Sequence, residues 1–163
     1  MWPVRVAIIS DTHMPRGARR LPDRCVAELR DADVILHCGD LIRGEVLEQV
    51  RGYGPPVHAI RGNVDDGSVP LPERLEVELE GVRLGLVHDP GPRQHRLERL
   101  RAAFPDADAV LFGHTHMPQH EERDGFQIFN PGSPTERRRA PAHTMGVAEV
   151  ADGRVTFELL VVA

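Results

Sequence analysis

Short apolar runs alternate with amphipathic stretches over the first 60 residues of the chain. Residues 4–9, 34–37 and 57–60 have the β-rich apolar composition of strands that are covered on both faces. After a loop marked by arginine and proline, residues 22–30 carry apolar positions at helical spacing, and residues 45–51 repeat that pattern. This alternation predicts parallel strands with right-handed crossovers, whose carboxyl ends meet at one edge of a sheet.

Hairpins predominate in the rest of the chain. Residues 74–79 and 82–87 flank a Glu-Gly turn, and a helix is predicted over 94–104 before a strand over 108–112. Two more hairpins are predicted, with strands over 120–123 and 127–129 and over 144–150 and 154–161. We find no linker or repeat in the sequence, and we therefore predict an α/β fold in a single domain over residues 1–163.

Polar side chains that can bind a metal follow five of the predicted strands. His114 and His116 are spaced i, i+2, and in extended backbone both imidazoles would face one point just beyond the strand. Asp11 and His13 have the same spacing. The seven candidate ligands are Asp11, His13, Asp40, Asn63, His88, His114 and His116. They suffice for two metals with one shared carboxylate, and nitrogen and oxygen ligands favour Mn²⁺, Fe²⁺, Ni²⁺ or Zn²⁺.

Composition and charge argue against a membrane-spanning protein, a secreted protein and a protein that coats nucleic acid. The sequence contains no apolar run of membrane-spanning length and enters its first strand almost at once, so we expect no signal peptide and a cytoplasmic location. Two cysteines outside any CxxC motif fit a reducing compartment. A net charge of −5 argues against an extensive nucleic-acid surface.

The ordered set of motifs resembles a known family. Asp-Thr-His at 11–13, Gly-Asp at 39–40, Gly-Asn at 62–63, His88, Gly-His-Thr-His at 113–116 and Asn-Pro-Gly-Ser at 130–133 resemble the calcineurin-like metallophosphoesterases, and specifically their small YfcE-like phosphodiesterases. The resemblance implies a four-layer α/β/β/α sandwich with a metal site at the carboxyl ends of the strands.

The resemblance also implies a ligand assignment. Asp11, His13 and His116 would hold one metal, and Asn63, His88 and His114 the other, with Asp40 bridging the two. Mn²⁺ is the favoured ion on the same ground. Two such ions can ionise a bridging water, and the hydroxide would attack phosphorus in line. The catalytic residues predicted for a phosphodiesterase are Asp40, Asn63, His88 and Arg43.

Two positions depart from the larger relatives. Val64 stands where many of them have a histidine that assists the leaving group; Asp65 or Asp66 could replace it, or could serve only to solvate the loop. Arg43 stands where they often have an acid, and it either contacts phosphate or forms a surface salt bridge. Residues 137–139, three arginines in succession, either bind a phosphate or form a solvated loop.

The other histidines, His37, His58, His95, His120 and His143, are expected to be ordinary polar residues, and residues 130–133 a structural turn. A phosphomonoesterase or phosphoprotein phosphatase is the alternative enzyme. The alternative outside enzymes is a protein-interaction module, because a retromer subunit of this fold resembles the chain and acts chiefly through protein contacts. The expected partner is a small phosphoester, nucleotide-like substrates included, and the hairpin edges permit a homodimer without requiring one.

Overall fold

The computed structural model describes residues 3–14 and 19–163, and its helices and strands follow the predicted order. Residues 15–18, in the loop predicted after the first strand, lie outside the described residues. The elements are β1 (Val4–Ile9), α1 (Asp23–Asp31), β2 (Val34–His37), α2 (Gly44–Arg51), β3 (Val57–Ala59), β4 (Arg74–Leu79), β5 (Val82–Val87), α3 (Arg96–Ala103), β6 (Ala109–Leu111), β7 (Gln119–Arg123), β8 (Phe126–Asn130), β9 (Thr144–Ala151) and β10 (Arg154–Val161).

The strands form two five-stranded mixed sheets. In the first sheet the order is β10-β9-β1-β2-β3, and the second has the order β4-β5-β6-β8-β7. The predicted parallel pairing of β1, β2 and β3 is confirmed, with Ile9 opposite His37 at the carboxyl end. The second sheet contains its own parallel trio, β5, β6 and β8. Each sheet therefore offers the carboxyl ends of three parallel strands.

Alternate residues of each strand face different layers, because side chains in a strand point to opposite faces. On β1, Val6 and Ile8 belong to a core shared with the second sheet, whereas Ala7 and Ile9 pack with residues of α1 and α2. On the far side of the second sheet, Val110 packs with residues of α3. The order of layers is thus helices, sheet, sheet, helix, and the implied four-layer α/β/β/α sandwich is confirmed.

Some helices and strands begin or end one or two residues away from their predicted bounds. The third helix begins at Arg96 rather than at residue 94, because His95 has a left-handed φ of 54°. Strand β6 ends at Leu111, one residue short of the predicted end, and β8 extends to 126–130 because Phe126 and Asn130 pair with β7. Among the described helices, none is long and apolar enough to cross a membrane.

Candidate metal centre

Five of the seven candidate ligands have a left-handed backbone. The φ angles are 57° at Asp11, 47° at His13, 62° at Asp40, 71° at His114 and 61° at His116. Residues other than glycine adopt this region only at a cost, and such strain concentrates at functional sites. The expectation of extended backbone through His114 and His116 is therefore wrong, since both residues lie beyond the end of β6.

Two glycines permit the close approach of these loops. A Cβ on Gly62 would lie 2.1 Å from Oδ1 of Asp40, and a Cβ on Gly113 would lie 2.6 Å from Oδ2 of Asp11. Neither distance is compatible with a side chain. The glycine in each motif therefore allows a loop of one strand to pack directly against a ligand from another.

The candidate ligands form two clusters. Asp11, His13 and His116 make up the first cluster, and Asp40, His88 and His114 the second. Within each cluster, one ligand atom from each residue lies within 4.8 Å of the others. His114 and His116 thus face different clusters, and the expectation that both face one point is wrong. The left-handed backbone between them turns the two imidazoles apart.

Two carboxylates lie between the clusters. Oδ2 of Asp40 is 3.4 Å from Nε2 of His13 and 3.1 Å from Nε2 of His88, so it reaches both clusters. Oδ1 of Asp11 is 3.5 Å from Nε2 of His116 and 3.7 Å from Nε2 of His88. Both carboxylates are buried. This is the arrangement expected if Asp40 bridges two cations.

Hydrogen bonds fix which nitrogen of His88 faces the site. Nδ1 lies 2.7 Å from the carbonyl oxygen of Cys38 and donates to it, so Nε2 of the neutral ring carries the lone pair. That Nε2 is 2.9 Å from Oδ1 of Asn63, which is also 3.1 Å from Nδ1 of His114. A nitrogen lone pair that faces amide and carboxylate oxygens fits a cation held between them.

Buried atoms without partners support the same conclusion. Oδ1 of Asp11, Nε2 of His13 and Nε2 of His116 are buried, and among the described residues none has a hydrogen-bond partner. Buried polar atoms are almost always paired, and a bound cation would satisfy these three together. The donor set in the chain therefore fits a divalent metal centre.

The carboxylates also favour a positive charge on His13, which lies between them. Burial opposes a charge on His13, but Asp11 and Asp40 outweigh it and raise the pKa of His13 to about 9. Burial would raise the pKa of Asp40, but its contacts with His13 and His88 hold that pKa below its usual range. Asp40 is thus an anion at neutral pH, as a metal ligand must be.

Asp65, which the sequence left between two roles, supports the loops. Oδ2 accepts hydrogen bonds from the backbone N–H of Asp40 at 3.1 Å and of Gly62 at 2.7 Å, and Oδ1 accepts one from Ile42 at 2.6 Å. The residue is 6% exposed. Because both oxygens are occupied by backbone donors, Asp65 fixes the loops that carry Asp40 and Asn63.

The segment after β8 ties together the loops of the two sheets. Oγ of Ser133 donates to the carbonyl of Asp11 at 2.8 Å, and Nδ2 of Asn130 donates to Oγ1 of Thr115 at 3.0 Å. The predicted structural turn therefore braces the ligand loops. Glu136, three residues further on, has a carboxylate oxygen 3.0 Å from Nδ1 of His13. Sequence reasoning missed Glu136, because a glutamate beside an arginine run carries no motif.

Arg43 and His37 make their contacts with residues outside the two clusters. The exposed side chain of Arg43 is 3.7 Å from Glu45, which favours the surface salt bridge; its contact with phosphate stays a prediction. His37 is fully buried and neutral, because Nδ1 accepts from the N–H of Gly39 and burial lowers the pKa of the ring to about 4. Neither cluster includes any of the five histidines expected to be ordinary polar residues.

Comparison with known proteins agrees with this geometry. Residues 4–153 match the calcineurin-like phosphoesterase superfamily domain. A probable metallophosphoesterase of Methanothermobacter thermautotrophicus is 34% identical over 136 residues, which cover 82% of this chain and 78% of the relative. A phosphodiesterase of Methanocaldococcus jannaschii is 26% identical over 146 residues, covering 79% of this chain and 83% of that one.

A solved structure has the same fold. A single mutant of Vps29 from Entamoeba histolytica superposes with a TM-score of 0.79, covering 96% of this chain and 98% of that one, at 23% identity. At that identity the likeness concerns the arrangement of the sheets and helices alone.

Proposed function

We propose that this chain, which belongs to the calcineurin-like phosphoesterase superfamily, hydrolyses phosphodiesters with two divalent cations bound at its two clusters. The observation that carries the proposal is the position of Asp40, whose Oδ2 lies within 3.4 Å of a histidine from each cluster. A carboxylate in that place can hold two cations close together, and such a pair stabilises both the attacking and the leaving oxygen of an in-line displacement at phosphorus.

The residues of the chain have distinct roles in this proposal. Asp11, His13 and His116 hold one cation, Asn63, His88 and His114 hold the other, and Asp40 bridges them. When bound, the cations lower the pKa of a water and draw charge from the phosphate oxygens. Mn²⁺ is the ion we propose, and the ligand set also admits Fe²⁺, Ni²⁺ and Zn²⁺.

A cavity beside the second cluster is the proposed place for one arm of the substrate. It has a volume of about 240 Å³, and its lining includes Asn63, His88 and Arg61 together with two carboxylate residues, Glu73 and Asp89. NH2 of Arg61 donates to the carbonyl of Asp65 at 3.1 Å, which holds the guanidinium at this edge. We propose that Arg61 binds the phosphate of the substrate, because an arginine can donate several N–H groups to phosphate oxygens.

The absence of a histidine at position 64 favours diesters with good leaving groups. Val64 has no proton to give, although its backbone N–H donates to Oδ1 of Asp40 at 2.9 Å. Asp65 cannot replace the histidine, because its oxygens accept three backbone hydrogen bonds. General acid assistance is typically worth about 10²–10⁴-fold, so we expect turnover to depend steeply on the leaving group.

The test compares hydrolysis of bis-p-nitrophenyl phosphate with that of p-nitrophenyl phosphate. Chelator-stripped protein receives Mn²⁺, Ni²⁺, Zn²⁺ or Mg²⁺ separately, and the His88→Ala variant serves as the control for contaminating phosphatases. We expect diester cleavage that a transition metal restores and that His88→Ala lacks. Faster cleavage of the monoester would replace the proposal with a phosphomonoesterase.

A further inference from the structure

We infer that Glu136 is a positioning residue that orients both histidines of the first cluster. These are His13, which follows a strand of the first sheet, and His116, which follows a strand of the second. The inference rests on the proposed function in one respect, that the first cluster holds a cation. Glu136 is not itself placed to bind that cation, because its carboxylate contacts the face of His13 that points away from the cluster.

The side chain of Glu136 acts on His13. Oε2 lies 3.0 Å from Nδ1 of His13, and both atoms are buried with no partner other than each other among the described residues. A ring that binds a cation through Nε2 keeps one proton, and that proton belongs on Nδ1, because an unprotonated Nδ1 would repel a carboxylate oxygen at this distance. The lone pair of Nε2 is then directed toward Asp11 and Asp40, where a cation needs it.

The main chain of Glu136 acts on His116. Its carbonyl oxygen accepts a hydrogen bond from Nδ1 of His116, which leaves the lone pair on Nε2, 3.5 Å from Oδ1 of Asp11. One residue thus selects the same tautomer in two imidazoles. His13 follows β1 of the first sheet and His116 follows β6 of the second, so Glu136 sets their relative orientation across the layers.

Glu136 is itself held in place from both sides. Its backbone N–H donates to Oγ of Ser133 at 2.8 Å, and Ser133 in turn donates to the carbonyl of Asp11. Its Oε1 accepts a hydrogen bond of 2.9 Å from NH2 of Arg19. The carboxylate is therefore pre-positioned, and it lowers the cost of ordering the ring when a cation binds.

The test measures cation affinity at the two clusters separately. Metal-stripped wild type, Glu136→Ala and Glu136→Gln are titrated with Mn²⁺ by calorimetry, and each melting temperature is recorded. Glu28→Ala is the matched control, because Glu28 has a side-chain exposure of 22% against 21% for Glu136 and likewise pairs with an arginine, Arg5, at 2.7 Å.

We expect Glu136→Ala to weaken one of the two sites about 10- to 100-fold and to leave the other within about twofold. Glu136→Gln keeps an oxygen acceptor for Nδ1 of His13, so it should lose less Mn²⁺ affinity than Glu136→Ala. Glu28→Ala should leave the affinity of both sites unchanged. Equal Mn²⁺ affinities in wild type and both Glu136 variants, or equal weakening of both sites, would overturn the inference about Glu136 and leave the proposed function standing. A wild-type chain that binds no Mn²⁺ would overturn the proposed function as well.

Discussion

At the scale of single residues, Asp40 reaches a histidine of each cluster through one carboxylate oxygen. Its Oδ1 accepts from Val64, its Oδ2 faces His13 and His88, and its backbone N–H is held by Asp65. A buried carboxylate with an unpaired oxygen would be costly, so these neighbours fix both the position and the charge of the side chain.

Replacing Asp40 with alanine should therefore release both cations and abolish hydrolysis, because neither cluster keeps its shared carboxylate. Metal analysis after dialysis checks the stoichiometry directly. Asp66→Ala is the control, since Asp66 lies on the same loop as Asn63 but is exposed and its side chain bonds only to Ser68 among the described residues. A variant at position 40 that retains two ions per chain would refute the bridging role.

His37 gives the molecule a residue-scale dependence on pH. Its pKa of about 4 in the folded chain lies below the ordinary value of 6.5, because burial disfavours the charged ring. As the pH falls, the ring is protonated in the unfolded chain before it is protonated in the folded chain. The contribution of His37 to the free energy of unfolding is therefore fully present above about pH 6.5 and is lost as the pH falls toward 4.

We expect the free energy of unfolding of the wild type to fall between pH 6.5 and 4.5, with His37 contributing up to about 1.4 kcal/mol per pH unit. Urea unfolding of metal-free wild type and His37→Gln at pH 7 and pH 5 isolates the contribution of His37 to this decrease in the free energy of unfolding. The variant should show the shallower decline, and His95→Gln, at an exposed position, should behave like wild type. Identical declines in wild type and His37→Gln would show that the ring does not titrate in this way.

At the scale of elements, the site depends on where strands stop and how the following loops turn. Periodicity predicted β1, β2, β4, β5 and β10 with the observed bounds, because apolar runs and hairpin turns are local signals. The turn that separates His114 from His116 was not predictable, since a φ of 71° on a histidine is imposed by packing. Glu136 escaped notice for the same reason: its role depends on contacts between distant segments.

Gly62→Ala tests the packing of the loops after β2 and β3. The added Cβ would lie 2.1 Å from Oδ1 and 2.4 Å from the backbone nitrogen of Asp40, so the loops must separate. We expect Mn²⁺ affinity to fall at least about tenfold, in line with displaced support of a ligand. Gly67→Ala is the matched control in the same loop, because a Cβ there meets nothing within 4 Å among the described residues. Unchanged affinity in Gly62→Ala would contradict the described packing.

At the scale of the whole molecule, each cluster takes ligands from both sheets. Asp11 and His13 follow β1 and Asp40 follows β2, whereas His88 follows β5 and both His114 and His116 follow β6. A cation in either cluster would therefore connect the two sheets at one end, in addition to the apolar core that the sheets share. This connection links cation binding to the stability of the fold.

Mn²⁺ should accordingly raise the melting temperature of the stripped chain, because only the folded state assembles ligands from both sheets. At 100 times the dissociation constant, one site adds about 2.7 kcal/mol to the free energy of unfolding. Thermal melts across a Mn²⁺ series check this. The control is the Asp40→Ala variant, whose melting temperature should not respond to the ion. A wild-type melt that is independent of Mn²⁺ would show that the sheets are not linked in this way.

The proposed hydrolysis depends on how many cations the chain binds. We would add Mn²⁺ stepwise to stripped protein and measure, in each sample, the ions bound per chain and the rate of bis-p-nitrophenyl phosphate cleavage. The prediction is that cleavage rises with occupancy of the second site and reaches its maximum at two ions per chain. Protein that holds two ions per chain and cleaves neither the diester nor p-nitrophenyl phosphate would contradict the account.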